Sequence, residues 1–103
     1  MISRTPGNRA CAEGATVKNV ALNSTTSTKI LDASECRQFV SITNLNNAVG
    51  AYIKLQAADL DDDKKGIYLV GINTWEMDTT KVYTGEISAI AATDSPTFSI
   101  TEY

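Results

Sequence analysis

The sequence predicts an all-β fold, an antiparallel β-sandwich or jelly-roll-like domain with about eight short strands over residues 16–103. Short segments alternate between apolar and polar residues, and turn-forming residues separate them at intervals of about 8–12 residues. No stretch that is long enough for a helix has a helical period. A chain of 103 residues has the length of one domain. We therefore expect a single sandwich domain over 16–103, preceded by an extended N-terminal arm over 1–15.

The predicted elements follow one another along the chain. The arm contains Pro6, Gly7 and Gly14 and has no periodic pattern, so neither strand nor helix is predicted in it. After it, alternation and β-branched residues predict strands at 16–22, 27–31, 36–44, 49–55, 67–70, 73–78, 85–92 and 97–103. Segments rich in Asn, Ser, Thr and Asp separate most of these strands and favour turns.

Segment 36–44 gives the clearest strand pattern. Its alternation places three side chains on one face, namely Cys36, Val40 and Ile42. The opposite face carries Arg37, Phe39, Ser41 and Thr43. Because Asn46 and Asn47 tolerate the backbone conformations of tight turns, segments 36–44 and 49–55 are expected to form a β-hairpin.

The longest polar stretch, 56–66, is predicted to be an exposed, charged loop. Its alternating acids resemble the first half of an EF-hand calcium loop. However, Lys64 stands where that motif needs Gly, and Val70 stands where it needs Glu. No EF-hand site is therefore expected, while a looser cation site at a subunit contact stays open. The alternating acids are Asp59, Asp61 and Asp63.

Charge is distributed unevenly along the chain, whose net charge is −3. Residues 1–12 contain Arg4 and Arg9 and no acid, whereas 13–103 contain more acids than bases. An acidic body argues against nucleic-acid binding. A basic arm suits docking onto an acidic neighbour, and a solvated tail is the alternative. The candidate partner-binding residues are Arg4, Arg9, Asp61, Asp62 and Asp63.

The residues that enzymes and metal sites need are scarce. The sequence has no histidine, which removes the commonest general base and Cys/His metal sites. Neither a Ser-x-x-Lys nor a Gly-x-Ser-x-Gly segment is present. Cys11 and Cys36 are expected to be free thiols, because no secretory signal precedes them. We therefore expect a non-enzymatic protein with no cofactor and no bound metal.

The chain has no long apolar run and no apolar core near its start, so neither a membrane span nor a signal peptide is expected. Aromatic side chains could offer stacking surfaces for sugars or bases. Trp75 alternates in register with Met77, so we favour core packing for it over ligand binding. The remaining candidates for stacking are Tyr52, Tyr68 and Tyr83.

Two parts of the sequence resemble a class of small virion proteins of tailed bacteriophages. The first is CRQFVSITNLNNAVGAYI, and the second is YTGEISAIAATDSPTFSITEY. The matching residues are Arg37, Val40, Ile42, Asn44, Val49, Tyr52, Ile53, Gly85, Ile87, Ala89, Ile90, Ala91, Ile100, Glu102 and Tyr103. The chain departs from the class in segment 66–75, which lacks the proline of a Gly/Pro-rich hairpin that members often carry.

The resemblance implies a structural role on the phage head. A capsid decoration (cement) protein is expected, bound as a homotrimer to the outer capsid surface and bridging major capsid protein subunits. The resemblance also implies that the protein is located in the virion after synthesis in the host cytoplasm. A neck or tail adaptor and a head-fibre component are alternatives within the same class. A carbohydrate- or cell-surface-binding module is the alternative outside it.

Overall fold

The structure, a computed structural model, describes residues 16–103, and the predicted arm, 1–15, lies outside the described residues. Each predicted strand segment contains one observed strand, so the all-β class and the strand number are confirmed. The strands are β1 (Thr16–Ala21), β2 (Thr28–Leu31), β3 (Val40–Asn44), β4 (Ala51–Lys54), β5 (Ile67–Leu69), β6 (Thr74–Glu76), β7 (Ile87–Ala91) and β8 (Thr97–Glu102). Within 16–103 there is no helix that could serve as a membrane span.

The strands pair as one long antiparallel ribbon folded back on itself. β1 pairs with β8, β2 with β7, β3 with β6, and β4 with β5. Two further antiparallel pairs, β3 with β8 and β4 with β7, join these into two four-stranded sheets. The first sheet has the order β1-β8-β3-β6, and the second has the order β2-β7-β4-β5. This strand order is that of an eight-stranded jelly roll, and the predicted jelly-roll-like sandwich is confirmed.

The core lies between the two sheets, at the positions that the alternation assigns to one face of each strand. In the first sheet, Ile42 lies opposite Ile100, and both are fully buried. In the second, Ile53 lies opposite Ala89, again with both fully buried. Removing these apolar surfaces from water supplies the main stabilisation of the fold.

The predicted hairpin of segments 36–44 and 49–55 is wrong, because β3 belongs to the first sheet and β4 to the second. The Asn44 side chain directs this crossing. Its Nδ2 donates to the carbonyl oxygens of Val49 (2.8 Å) and Leu69 (3.0 Å), and its Oδ1 accepts from the Asn46 backbone N–H (2.9 Å). The Asn-rich segment does reverse the chain, but it carries the chain from one sheet to the other.

The loops alternate between the two ends of the sandwich, since each strand runs antiparallel to its neighbours. One end, here named the neutral end, consists of loops 22–27, 45–50, 70–73 and 92–96. The loops of the neutral end contain a single charged residue, Asp94. The opposite end, named the charged end, consists of loops 32–39 and 77–86 together with Tyr103. Its loops carry Asp32, Glu35, Arg37, Asp78, Lys81 and Glu86.

Candidate functional site

The segment between β4 and β5, residues 55–66, covers part of the outer face of the second sheet and is named the acidic strap. The Ser88 hydroxyl on that face donates to the Gln56 carbonyl oxygen (3.0 Å). Ser88 and Ile90 point away from the core, yet both are completely buried. The prediction of an exposed loop is thus wrong in part, because the segment is a cover packed on the sheet.

A buried lysine attaches the strap to the sheet. Lys54 lies on the outer face of β4, and its side chain is 2% exposed. Its Nζ lies within hydrogen-bond distance of four oxygens: Ser27 Oγ (2.9 Å), Asp61 Oδ1 (2.8 Å), Asp61 O (3.1 Å) and Asp63 O (3.0 Å). A buried ammonium is tolerated only when its donors are satisfied, and the strap supplies most of those acceptors.

Asp61 is the counter-ion at the centre of this arrangement. Besides Lys54, its carboxylate contacts Lys65 Nζ (3.1 Å) and accepts from the Asp63 backbone N–H (3.1 Å). Hydrogen bonds from the Lys54 and Lys65 ammonium groups hold the pKa of Asp61 well below the ordinary value of an aspartate.

The other two predicted contact residues of the strap differ from Asp61. Asp62 Oδ1 accepts from the Ser27 backbone N–H (2.8 Å), while the residue as a whole is exposed. The Asp63 side chain is 72% exposed and lies 3.8 Å from Lys65 Nζ. Asp62 and Asp63 thus keep carboxylate surface exposed to solvent, whereas Asp61 is engaged within the chain.

Arg37 lies in the turn before β3 and not on a strand face, because β3 begins at Val40 and not at residue 36. Its side chain is fully buried at the charged end. Nε donates to Glu102 Oε2 (2.8 Å), and Nη2 donates to the Asp32 carbonyl oxygen (2.6 Å). Nη1 donates to the carbonyl oxygens of Tyr83 and Gly85, each at 2.8 Å. The guanidinium therefore ties together two loops and β8.

A cleft of about 510 Å³ lies beside Arg37 at the charged end. The Phe39 and Tyr103 rings form part of its wall, with centroids 5.3 Å apart and planes inclined by 46°. Tyr103 is half exposed. Because the hydrogen bonds of Arg37 are made within the chain, the cleft offers ring surface for stacking and little free charge. The complete lining is Arg37, Gln38, Phe39, Thr79, Val82 and Tyr103.

The other aromatic side chains do not form one surface. Trp75 lies opposite Ile42 on the inner side of the first sheet and packs against the core, as the alternation predicts. Tyr52 and Tyr68 form a cross-strand pair on the second sheet, with centroids 4.8 Å apart. Tyr83 donates its hydroxyl proton to the Glu86 carbonyl oxygen (2.9 Å) at the charged end.

Cys36 forms a disulfide, so the prediction of a free thiol is wrong for this residue. The expectation of free thiols assumed a reducing environment, in which disulfides are rare. Cys11, Arg4 and Arg9 lie outside the described residues. Among residues 16–103, no three His, Cys, Asp or Glu side chains are placed to hold a metal ion together.

Sequence reasoning missed the two buried cations and the ring-walled cleft. For the buried cations, the one available signal in the sequence was Lys54, a lysine within an apolar strand.

Comparison with protein-family models, with curated protein sequences and with solved structures finds no match.

Proposed function

We propose that the chain is a non-enzymatic structural protein of a tailed-phage virion, a decoration protein that binds the outer capsid surface. Jelly-roll domains build viral capsid proteins as well as lectins, so the fold suits this role without fixing it. The phage-like segments add support. They supply β3, β4, β7 and β8, which are the inner strands of both sheets.

The observation that carries the proposal is the surface of the neutral end. Leu45, Val70 and Ile72 are 45%, 43% and 58% exposed there, among loops that contain Asp94 as their single charge. Exposed apolar side chains in an uncharged setting are typical of protein-binding surfaces. This end is the proposed contact with the major capsid protein.

Two further contacts belong to the proposal. Arg4 and Arg9 of the arm would pair with acidic groups of the capsid, and β1, which follows the arm in sequence, begins at the charged end. Asp62 and Asp63, which lie on the acidic strap, would pair with basic groups of a neighbouring subunit. Each such contact is weak, and many copies on one particle make the total attachment strong.

The test is co-sedimentation of the purified chain with capsids assembled from the major capsid protein of the same genome. Saturating binding at a fixed ratio to capsid subunits is expected. Ile72→Asp should reduce the bound fraction at least tenfold, because it places a charge in the apolar contact. Leu60→Asp is the matched control, since Leu60 is 66% exposed on the strap. Absence of binding by the native chain would refute the proposal.

A carbohydrate-binding module is the second candidate, and the Phe39–Tyr103 cleft favours it. Sugar rings stack on exposed aromatic faces, and Gln38 and Thr79 could bond to hydroxyl groups. Screening against immobilised glycans would show binding that Tyr103→Ala abolishes. A neck or tail adaptor would instead assemble as a larger ring, which mass measurement in solution detects.

A further inference from the structure

β1 has a long and regular free edge. Among the described residues it pairs with β8 alone, over six residues with no shift in register. The other edge strands are protected: β2 has an irregularity between Lys29 and Leu31, and β5 and β6 have three residues each. Natural proteins shorten, distort or cover their edge strands, because a regular free edge pairs with another strand.

The geometry determines which backbone groups of β1 point to the free edge. The Leu22 N–H donates to the Pro96 carbonyl oxygen (2.9 Å), which continues the β1–β8 ladder. In an antiparallel ladder, alternate residues direct both their N–H and their C=O to the same neighbour. The even-numbered residues of β1 therefore bond to β8. The N–H and C=O groups of Val17, Asn19 and Ala21 face outward from the edge.

We propose that this edge binds the same edge of a second copy of the chain, so that β1 and its symmetry mate join the two first sheets into one. The two-fold axis is perpendicular to the sheet, which keeps outward side chains beside outward side chains. Asn19 then lies opposite Asn19 of the second copy, and Val17 lies opposite Ala21. All outward-facing backbone groups of the edge gain partners in this register.

Charge and exposure favour this register and a second copy of the chain as the partner of the edge. A shift that centres the axis on Lys18 would put two ammonium groups opposite each other, whereas the Asn19-centred register places Lys18 beside Val20. Val17 is 66% exposed, and pairing it with Ala21 shields it. A two-fold contact requires a self-complementary patch, and the edge-facing residues Val17, Asn19 and Ala21, with one polar residue at their centre, provide it.

The test measures the mass of the full chain by light scattering after size exclusion, from roughly 1 µM to roughly 1 mM. A species of twice the 11.1 kDa chain mass is expected, with its fraction rising with concentration. Asn19→Pro should abolish it while leaving the circular dichroism unchanged, because its N–H faces the free edge. Val20→Pro is the matched control, and it should destabilise the fold, because its N–H faces β8.

Asn19→Lys provides a second variant that keeps the backbone N–H and places two ammonium groups at the axis. It should also be monomeric. A native chain of single mass at every concentration overturns the inference, as does a trimer, which is the assembly that the resemblance to phage virion proteins implies. So does a dimer that persists in both Asn19 variants, since another surface would then hold it together.

Discussion

Replacing Lys54 by Met tests whether the buried ammonium holds the acidic strap on the second sheet. Methionine keeps an unbranched side chain of similar length in the same space and removes the donors. Ser27 Oγ and the strap oxygens then lose their common partner. The strap should detach locally before the sandwich unfolds.

The magnitude follows from the number and burial of the lost contacts. Breaking a fully buried ion pair by removing one partner costs about 3–5 kcal/mol. Asp61 keeps its contact with Lys65, and its side chain is 27% exposed, so a smaller loss applies here. We expect a loss of about 2–3 kcal/mol in the free energy of unfolding. For a domain of this size the unfolding midpoint should fall by about 10–20 °C.

The assay is thermal and urea unfolding followed by circular dichroism, with hydrogen exchange of residues 55–66 as the local readout. Lys29→Met is the matched control, because it removes an exposed ammonium whose ion pair with Asp32 should contribute nothing measurable. Adding Asp61→Asn to Lys54→Met should recover part of the stability by removing the unpaired carboxylate. Equal midpoints for the two single Lys→Met variants would refute the reasoning.

Four other outcomes are expected. Because its lysine partners lower the pKa of Asp61, its ionised form stabilises the fold above about pH 4, and this contribution is lost progressively at lower pH. Acid titration of stability should therefore be less steep for Asp61→Asn. Thiol labelling of the unfolded chain should modify Cys36 only after reduction, and labelling without reductant would contradict the disulfide. Gly66→Ala should cost about 1–3 kcal/mol, because φ is +113° and a Cβ would meet the Ile53 carbonyl oxygen; Gly71→Ala should cost less by thermal unfolding, because its Cβ would make an ordinary contact of 3.6 Å with Asn73 Nδ2. An Arg4→Ala/Arg9→Ala variant should stay folded and bind capsids more weakly, and unchanged occupancy on the particles would exclude the arm contact.

The alternation of side chains predicted the strands because each sheet has one face packed into the apolar core. Val40 and Ile42 repeat at the period of a strand, and both are fully buried. Which strands become neighbours depends on contacts distant in sequence. The turn sequence after Asn44 is compatible both with a return within one sheet and with a crossing to the other sheet. The hairpin prediction failed there for this reason.

The buried cations could not be predicted for a related reason. Arg37 has a charged side chain beside a strand, which by itself indicates solvent exposure. Its burial depends on carbonyl oxygens from residues 32, 83 and 85 that the fold brings together. Lys54 likewise needs the strap to fold over it. In both cases at least half of the acceptors are backbone oxygens, which every residue has and no sequence pattern identifies.

The proposed dimer resolves a difficulty that the single chain presents. In a single copy, the neutral end and Thr16, the first described residue after the arm, lie at opposite ends of the sandwich, although the neutral end and the arm are both proposed capsid contacts. The pairing of β1 with its symmetry mate reverses one copy, which places Thr16 of each chain beside Leu22 of the other. Each side of the dimer then carries the neutral end of one copy and Thr16 of the other. Monomeric Asn19→Pro should consequently bind capsids more weakly than the native dimer, although Asn19 itself makes no capsid contact. Equal capsid affinity of the two would separate self-association from capsid binding.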